Sequence, residues 1–176
     1  MTAEEFVAAL PKTAPSVEDL RKQGLTKKAA QAFRRSLSPK AKKDGSTASK
    51  EGGEVARLIT GYDCSSTEVG MVRFIEAPIR KKGSWEVGRV EADPLLVDAT
   101  SGAVRVVEMG HPSHVLWDCA ANGESFLSAL ARASAALSQR VVEEVPKKQM
   151  AKHLRNCVFE AGGEQYEAFF RMLLGA

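Results

Sequence analysis

Residues 95–109 read LLVDATSGAVRVVEM. Leucine and valine dominate both ends, and the four residues between them, 99–102, end in Gly102, which supplies the positive φ that a tight turn needs. This stretch therefore predicts a β-hairpin. Similar runs of Val, Ile, Thr and aromatic residues, broken by turn signals, occupy residues 54 to 120. Together they predict strands at 55–62, 69–77, 85–91, 95–98, 103–109 and 115–119.

Helical patterns lie on both sides of this region. After Asn122 the apolar period becomes 3.6 and predicts a helix that packs across the sheet and ends before Pro146. Two more helices are predicted at 150–158 and 166–173, separated by Gly162 and Gly163. The apolar stripe of the long helix consists of Phe126, Leu130, Ala133, Leu137, Val141 and Val145.

The N-terminal part predicts three short helices. Thr2 and Glu5 form a capping-box pattern at the first helix, which is expected to end at Pro11. Ser16 begins the second. The third begins at Thr26, and its apolar face would consist of Ala29, Ala30, Phe33 and Leu37.

The expected architecture is α+β, with a single curved antiparallel sheet of about five to six strands backed by helices. Residues 38–53, SPKAKKDGSTASKEGG, have the composition of a flexible loop. We therefore divide the chain into N-terminal helices with a basic flexible loop (1–53), a sheet-and-helix unit (54–145) and C-terminal helices packed on the same domain (146–176).

Composition limits the possible classes of protein. The chain has 176 residues, of which 44% are hydrophobic and 27% are charged, as in a globular domain. No run reaches the roughly 18 apolar residues of a membrane span, and the N-terminus lacks a secretory pattern. The cysteines Cys64, Cys119 and Cys157 are odd in number, which predicts free buried thiols and a reducing compartment. We expect a cytoplasmic protein without membrane contact, and oligomeric state stays open.

Charge is unevenly distributed along the chain. The net charge is +3, but residues 21–50 contain ten Lys or Arg and a single acid, Asp44. That segment therefore carries +9 and the remainder −6. A basic N-terminal arm precedes a mildly acidic body, in which residues 54–145 hold thirteen acids and nine bases.

The central segment 85–133 resembles the second half of SUKH-superfamily domains. The matching pieces are ADPL at 92–95, the turn at 98–102 and SFL at 125–127. This resemblance implies a curved antiparallel sheet backed by helices, and membership of a group widely used as immunity proteins against bacterial polymorphic toxins, which are often nucleases. The two helices after Pro146 lie outside the family pattern.

Under this hypothesis the protein binds and occludes a cognate toxin, and an acidic face would meet a basic active site. Two tryptophans are candidate anchors, since aromatic residues dominate interface energetics, although core packing is the alternative for each. The candidate partner-binding residues are Trp85, Glu86, Glu91, Asp93, Asp98, Glu108 and Trp117.

Catalytic interpretations are weaker. The stretch HPSHVLWDC brings His111, His114, Asp118 and Cys119 within nine residues, which could indicate a metal site or a thiol nucleophile. On a strand, however, Asp118 and Cys119 would point to opposite faces. No phosphate-binding glycine loop or nucleophile elbow is present. We therefore expect no enzymatic activity, cofactor or metal.

The alternative function is nucleic-acid binding by the basic segment 21–50, because its cations could neutralise phosphates. Aromatic residues that could stack on bases are missing there except for Phe33, which a helical spacing assigns to the core. The candidate nucleic-acid residues are Lys27, Lys28, Arg34, Arg35, Lys42 and Lys43.

Overall fold

The computed structural model describes residues 1–43 and 52–176. The chain forms seven α-helices in this part, together with a short 3-10 helix, Glu164–Tyr166. The α-helices are α1 (Ala3–Thr13), α2 (Val17–Lys22), α3 (Lys27–Ser36), α4 (Gly53–Gly61), α5 (Gly123–Val142), α6 (Lys147–Ala161) and α7 (Glu167–Leu174).

Six strands form one antiparallel sheet in which neighbours along the chain are neighbours in space, in the order β3-β4-β5-β6-β7-β8. A separate two-stranded sheet pairs β1 with β2. The strands are β1 (Lys40–Ala41), β2 (Tyr62–Asp63), β3 (Glu68–Val69), β4 (Val72–Lys81), β5 (Ser84–Val90), β6 (Asp93–Asp98), β7 (Val104–Glu108) and β8 (His111–Ala120). The α+β class with a six-stranded sheet is confirmed.

The hairpin at 95–109 forms as predicted. Gly102 has φ 75°, and its N–H donates to the carbonyl of Asp98. The Asp98 carboxylate accepts hydrogen bonds from the N–H groups of Thr100 and Ser101, at 3.0 and 2.8 Å. Hydrogen bonds from Ser101 and Thr100 lower the pKa of Asp98 below 3.8. Asp98 therefore stabilises the turn as a carboxylate.

The predicted strand at 55–62 is wrong, because residues 53–61 form helix α4. Val55, Leu58 and Ile59 are fully buried, and they stand at i, i+3 and i+4, a helical spacing. Glu54 joins this helix to α1, since its carboxylate accepts the N–H of Ala3 at 2.8 Å and pairs with Arg57 at 2.7 Å. Burial against α1 therefore outweighs the strand preference of valine and isoleucine.

Three smaller expectations also change. Helix α1 continues past Pro11 to Thr13, whose hydroxyl donates to the Leu10 carbonyl at 2.7 Å. The apolar face of α3 is narrower than predicted, because Ala29 is exposed while Ala30 is buried. The loop predicted at 38–53 contains strand β1 at Lys40–Ala41, and its residues 44–51 lie outside the described part of the chain.

One hydrophobic core lies between the helices and one face of the sheet. Helix α5 packs against α1, α4 and α6, and its Phe126 is fully buried beside Phe169 of α7, with ring centroids 6.4 Å apart. Phe6 of α1 meets Phe74 of β4 edge to face, at 6.3 Å. Residues from all three predicted segments thus share this core. Val141 was predicted to belong to the apolar stripe of α5, but it is 36% exposed and lies outside the core.

Candidate partner-binding surface

The register of the sheet defines its second face. Ile79, Glu86, Leu96, Arg105 and Asp118 pair in one row across five strands. Paired residues lie on the same side of a sheet, and the core residues Trp85 and Val97 belong to the neighbouring row, so this row faces away from the core. The open face consists of Arg73, Ile79, Lys81, Glu86, Arg89, Pro94, Leu96, Arg105, Val107, Val115 and Asp118.

The open face has a buried centre and an exposed margin. Leu96 and Val107 are 7% and 1% exposed, yet neither belongs to the main hydrophobic core. At the margin, Ile79 and Val115 are 48% and 36% exposed. A bulge between Phe74 and Ile79 and others along β5 and β8 interrupt the pairing, and bulges bend strands and increase their twist. The result is a curved surface with apolar residues at its centre and margin.

Glu86 lies at the centre of this surface. Its side chain is 5% exposed and pairs with Lys81 Nζ at 3.1 Å and with Arg89 Nη2 at 3.7 Å. A buried charge is costly unless it is paired, and these two cations compensate the carboxylate of Glu86 inside the sheet face. Glu86 was expected to contact a partner directly; it is instead covered by its own cations.

We expect the double substitution Lys81→Met/Arg89→Met to lower the free energy of unfolding by about 2 kcal/mol, because it leaves the Glu86 carboxylate buried and unpaired. This loss of stability is smaller than for a fully buried ion pair because both cations are 48% exposed. Adding Glu86→Gln should recover most of the loss, as measured by urea unfolding of the three variants. If the free energy of unfolding falls equally with and without Glu86→Gln, the two ion pairs do not contribute to stability.

The grouping of the seven predicted residues into one surface is wrong. Trp85 faces the core side, with the guanidinium of Arg80 5.2 Å above its ring, while its neighbour Glu86 faces the other side. Trp117 also packs against the core. Asp98 lies in the β6–β7 turn, at the opposite end of the strands from Glu91. The reason is the alternation of side chains along a strand, which separates sequence neighbours.

Three of the predicted acids do come together, at the end of the sheet formed by the β5–β6 and β7–β8 turns. Glu91 is exposed with φ 55°, Asp93 accepts the N–H of Met109 at 2.9 Å, and Glu108 pairs with His114 Nδ1 at 2.9 Å. Met109, 46% exposed, lies among them. We call Glu91, Asp93 and Glu108 the acidic end. It borders the open face at the point where β7 ends and β8 begins.

The HPSHVLWDC stretch forms no catalytic cluster. His111 and His114 are exposed near Glu108, whereas Cys119 is fully buried and Asp118 points to the open face. Burial raises the pKa of the Cys119 thiol well above its ordinary value. Burial likewise raises those of Cys64 and Cys157 to about 12. All three thiols are free, as predicted. Residues 1–43 and 52–176 contain no group of His, Cys, Asp or Glu that could hold a metal ion.

The six basic candidates divide into two groups. Arg34 donates to the carbonyl of Pro15 at 2.6 Å, and Lys42 Nζ donates to the carbonyls of Ile59 and Glu76 at 2.7 and 2.6 Å. Arg34 thereby links α3 to the α1–α2 loop, and Lys42 links the N-terminal segment to α4 and β4. The other four are exposed: Lys27, Lys28, Arg35 and Lys43.

Sequence reasoning missed the apolar part of the open face. Leu96 and Val107 were assigned to strands but not to a face separate from the core, and Ile79 fell beyond the predicted end of β4. Leu95, Leu96 and Val97 form a continuous apolar run, and such a run indicates a strand buried on both faces. That run was the available signal that the second face also buries apolar side chains.

Fold and surface together define an α+β protein whose sheet carries a helical layer on one face and a curved, partly apolar surface on the other. Comparison of the chain with protein-family models, curated proteins and solved structures gave no match. None of the helices within the described residues has the length and apolar character that crossing a membrane requires.

Proposed function

We propose that the protein is an immunity-type protein that binds and neutralises a cognate bacterial toxin by occlusion, and that the open face with the adjoining acidic end is the binding surface. The observation that carries the proposal is the apolar margin of the open face, where Ile79 and Val115 are exposed around the buried Leu96 and Val107. The resemblance of residues 85–133 to SUKH domains supplies the type of partner.

This surface has the components of a protein interface. Exposed apolar patches on a folded protein mark interaction sites, and Ile79 and Val115 place such apolar area beside the charged side chains of the open face. The cations of the open face are already paired within the chain: Arg73 with Glu68 at 3.0 Å and Arg105 with Asp98 at 3.8 Å. A partner that covers them therefore meets little uncompensated charge and gains the burial of apolar area.

The acidic end adds an electrostatic preference. Glu91 is exposed and Asp93 and Glu108 are half-buried at the margin of the open face, and carboxylates there favour approach of a basic surface. A nuclease toxin, whose active site must attract phosphates, presents such a surface. Charge at the margin would act mainly on the association rate and its salt dependence.

The test is capture of partners from lysate of the cells that make the protein, using a tagged wild-type chain and two variants. In Ile79→Asp/Val115→Asp the margin of the open face becomes charged, and we expect binding to fall by at least tenfold. The control is Val141→Asp on α5, because Val141 and Val115 are equally exposed, at 36%. Circular dichroism would verify that all three chains fold.

The proposal requires that one captured protein is toxic when expressed alone, harmless when co-expressed with the wild-type chain, and released by the open-face variant but not by Val141→Asp. Equal capture by both variants would exclude the open face as the binding surface. Capture of nucleic acid alone, lost in high salt, would favour the alternative, in which exposed cations of the basic segment, among them Lys27, Lys28, Arg35 and Lys43, neutralise phosphates.

A further inference from the structure

A second apolar surface lies on the helical side of the molecule, away from the open face. Helices α6 and α7 enclose a groove of about 910 Å³. Its floor consists of Met150, Leu154 and Val158, which are 5% to 8% exposed, and its margin carries Phe159. We call this the α6–α7 groove. The C-terminal residue Ala176 also lines it.

Phe159 is the most unusual residue of this groove. Its side chain is 82% exposed, the highest value among the large hydrophobic residues of the described chain that are not buried. By contrast, Phe126 of α5 and Phe169 of α7 are fully buried. An aromatic ring held in solvent beside an apolar groove gains free energy when another apolar group covers both.

The charge around the groove indicates what covers it. The first nine residues of α6 carry Lys147, Lys148, Lys152 and Arg155 without an acid, and none of these four has a carboxylate partner within the described residues. The groove itself is lined by four cations and two acids: Arg140, Lys147, Arg155, Arg171, Glu164 and Glu167. Glu167 is paired with Arg171, so the lining keeps an excess of positive charge. The acid that follows, Glu160, is engaged with Arg132 at 3.2 Å.

The start of α6 reinforces this excess of positive charge. Its N-cap is Pro146, which makes no side-chain capping hydrogen bond, and its first turn contains two lysines and no acid. Helix N-termini favour negative charge, so cations in the first turn are unfavourable there. An acidic group bound near Lys147 and Lys148 would relieve that repulsion.

We propose that the α6–α7 groove binds an acidic amphipathic helix of a partner protein, with apolar side chains against Phe159 and the floor and carboxylates against the cations of α6. Grooves between two helices accept a third helix through side chains spaced at i, i+3, i+4 and i+7. A second copy of this chain fits poorly, because a symmetric contact would bring the four α6 cations of each copy together. This proposal is independent of the toxin hypothesis, since it uses another surface.

The test uses two fluorescein-labelled synthetic peptides of sixteen residues, with Leu and Phe at the i, i+3, i+4 and i+7 positions. One carries Glu at the remaining positions and the other Lys. Measured by fluorescence anisotropy, the Glu peptide should bind the full-length protein at least tenfold more tightly than the Lys peptide. Its affinity should fall as the salt concentration rises from about 0.05 to about 0.5 M.

Two variants locate the binding site. Phe159→Ala should lower the affinity for the Glu peptide about tenfold. Lys147→Glu/Arg155→Glu should lower that affinity further and raise the affinity for the Lys peptide. The matched control is Ile79→Asp on the open face, which should leave peptide affinity unchanged.

Four results would overturn the inference. Equal affinity for both peptides would remove the charge argument. Binding that is insensitive to Phe159→Ala would place the peptide elsewhere. A concentration-dependent dimer in sedimentation equilibrium that Phe159→Ala abolishes would make a second copy the occupant. Binding of dodecanoate with displacement of the Glu peptide would make an anionic lipid the occupant.

Discussion

The substitution Phe126→Ala is expected to lower the free energy of unfolding by about 3–5 kcal/mol, the range for truncating a buried phenylalanine. Phe126 is fully buried in α5, and its ring centroid lies 6.4 Å from that of Phe169, which in turn lies 5.0 Å from that of Phe170. Removing the ring leaves a cavity between α5 and α7 that the surrounding elements cannot fill. Urea unfolding followed by circular dichroism measures the loss.

Phe159→Ala is the matched control, because it removes the same ring from a site that is 82% exposed. We expect its unfolding free energy to stay within about 0.5 kcal/mol of the wild type, as for other surface substitutions. A large loss for Phe159→Ala would mean that the ring contributes to the fold, and the groove would then lose its best anchor for a partner.

Gly88→Ala is expected to destabilise the chain by about 3 kcal/mol, at the upper end of overpacking effects. An added Cβ would lie 2.4 Å from the carbonyl oxygen of Arg73 on the paired strand β4. Backbone cannot move aside as a flexible side chain can, so β4 and β5 must separate where Gly88 pairs with Phe74, beside the bulge of β4. The same urea titration measures the loss.

Gly61→Ala provides the comparison for this variant. Gly61 ends helix α4, its φ is not positive, and no heavy atom lies within 4 Å of an added Cβ. Alanine there should leave stability unchanged or raise it by about 0.4–1 kcal/mol, because it restricts the unfolded chain. Equal stability of the two variants would contradict the close approach of β4 and β5.

Gly88 also connects stability with the proposed binding surface. The bulge between Glu86 and Gly88 places Glu86 on the open face and leaves Val87 buried, so both sides of the sheet depend on it. A folded Gly88→Ala chain should therefore also lose partner capture. Phe126→Ala, whose cavity lies on the helical side, should retain capture at temperatures where it stays folded.

The two proposed surfaces differ in the partner that each selects. The open face offers paired charges and an apolar margin next to three carboxylates, which suits a folded protein with a basic region. The α6–α7 groove offers an exposed aromatic ring and unpaired cations, which suits an acidic helix. Separate variants, Ile79→Asp/Val115→Asp and Phe159→Ala, distinguish them because neither touches the other's surface.

Local signals in the sequence were sufficient where one segment determines its own structure. The hairpin at 95–109 follows from Gly102 and the flanking β-branched residues, and α5 follows from a 3.6-residue period over its length. Helix α4 was missed because Val, Ile and Thr within 55–62 favour strands locally, while the burial of Val55, Leu58 and Ile59 against α1 and α5 favours a helix.

The α+β class, the order of most helices and strands and the turn at Asp98 could be predicted from the sequence, because each depends on neighbours within a few residues. The free cysteines could be predicted from their odd number. Tertiary structure alone decided which side chains share a face. Bulges shift the alternation of a strand by one residue, and a one-residue shift moves every following side chain to the other face. The positions of those bulges are set by pairing between strands, so only the assembled sheet brings Ile79, Leu96 and Asp118 into one row.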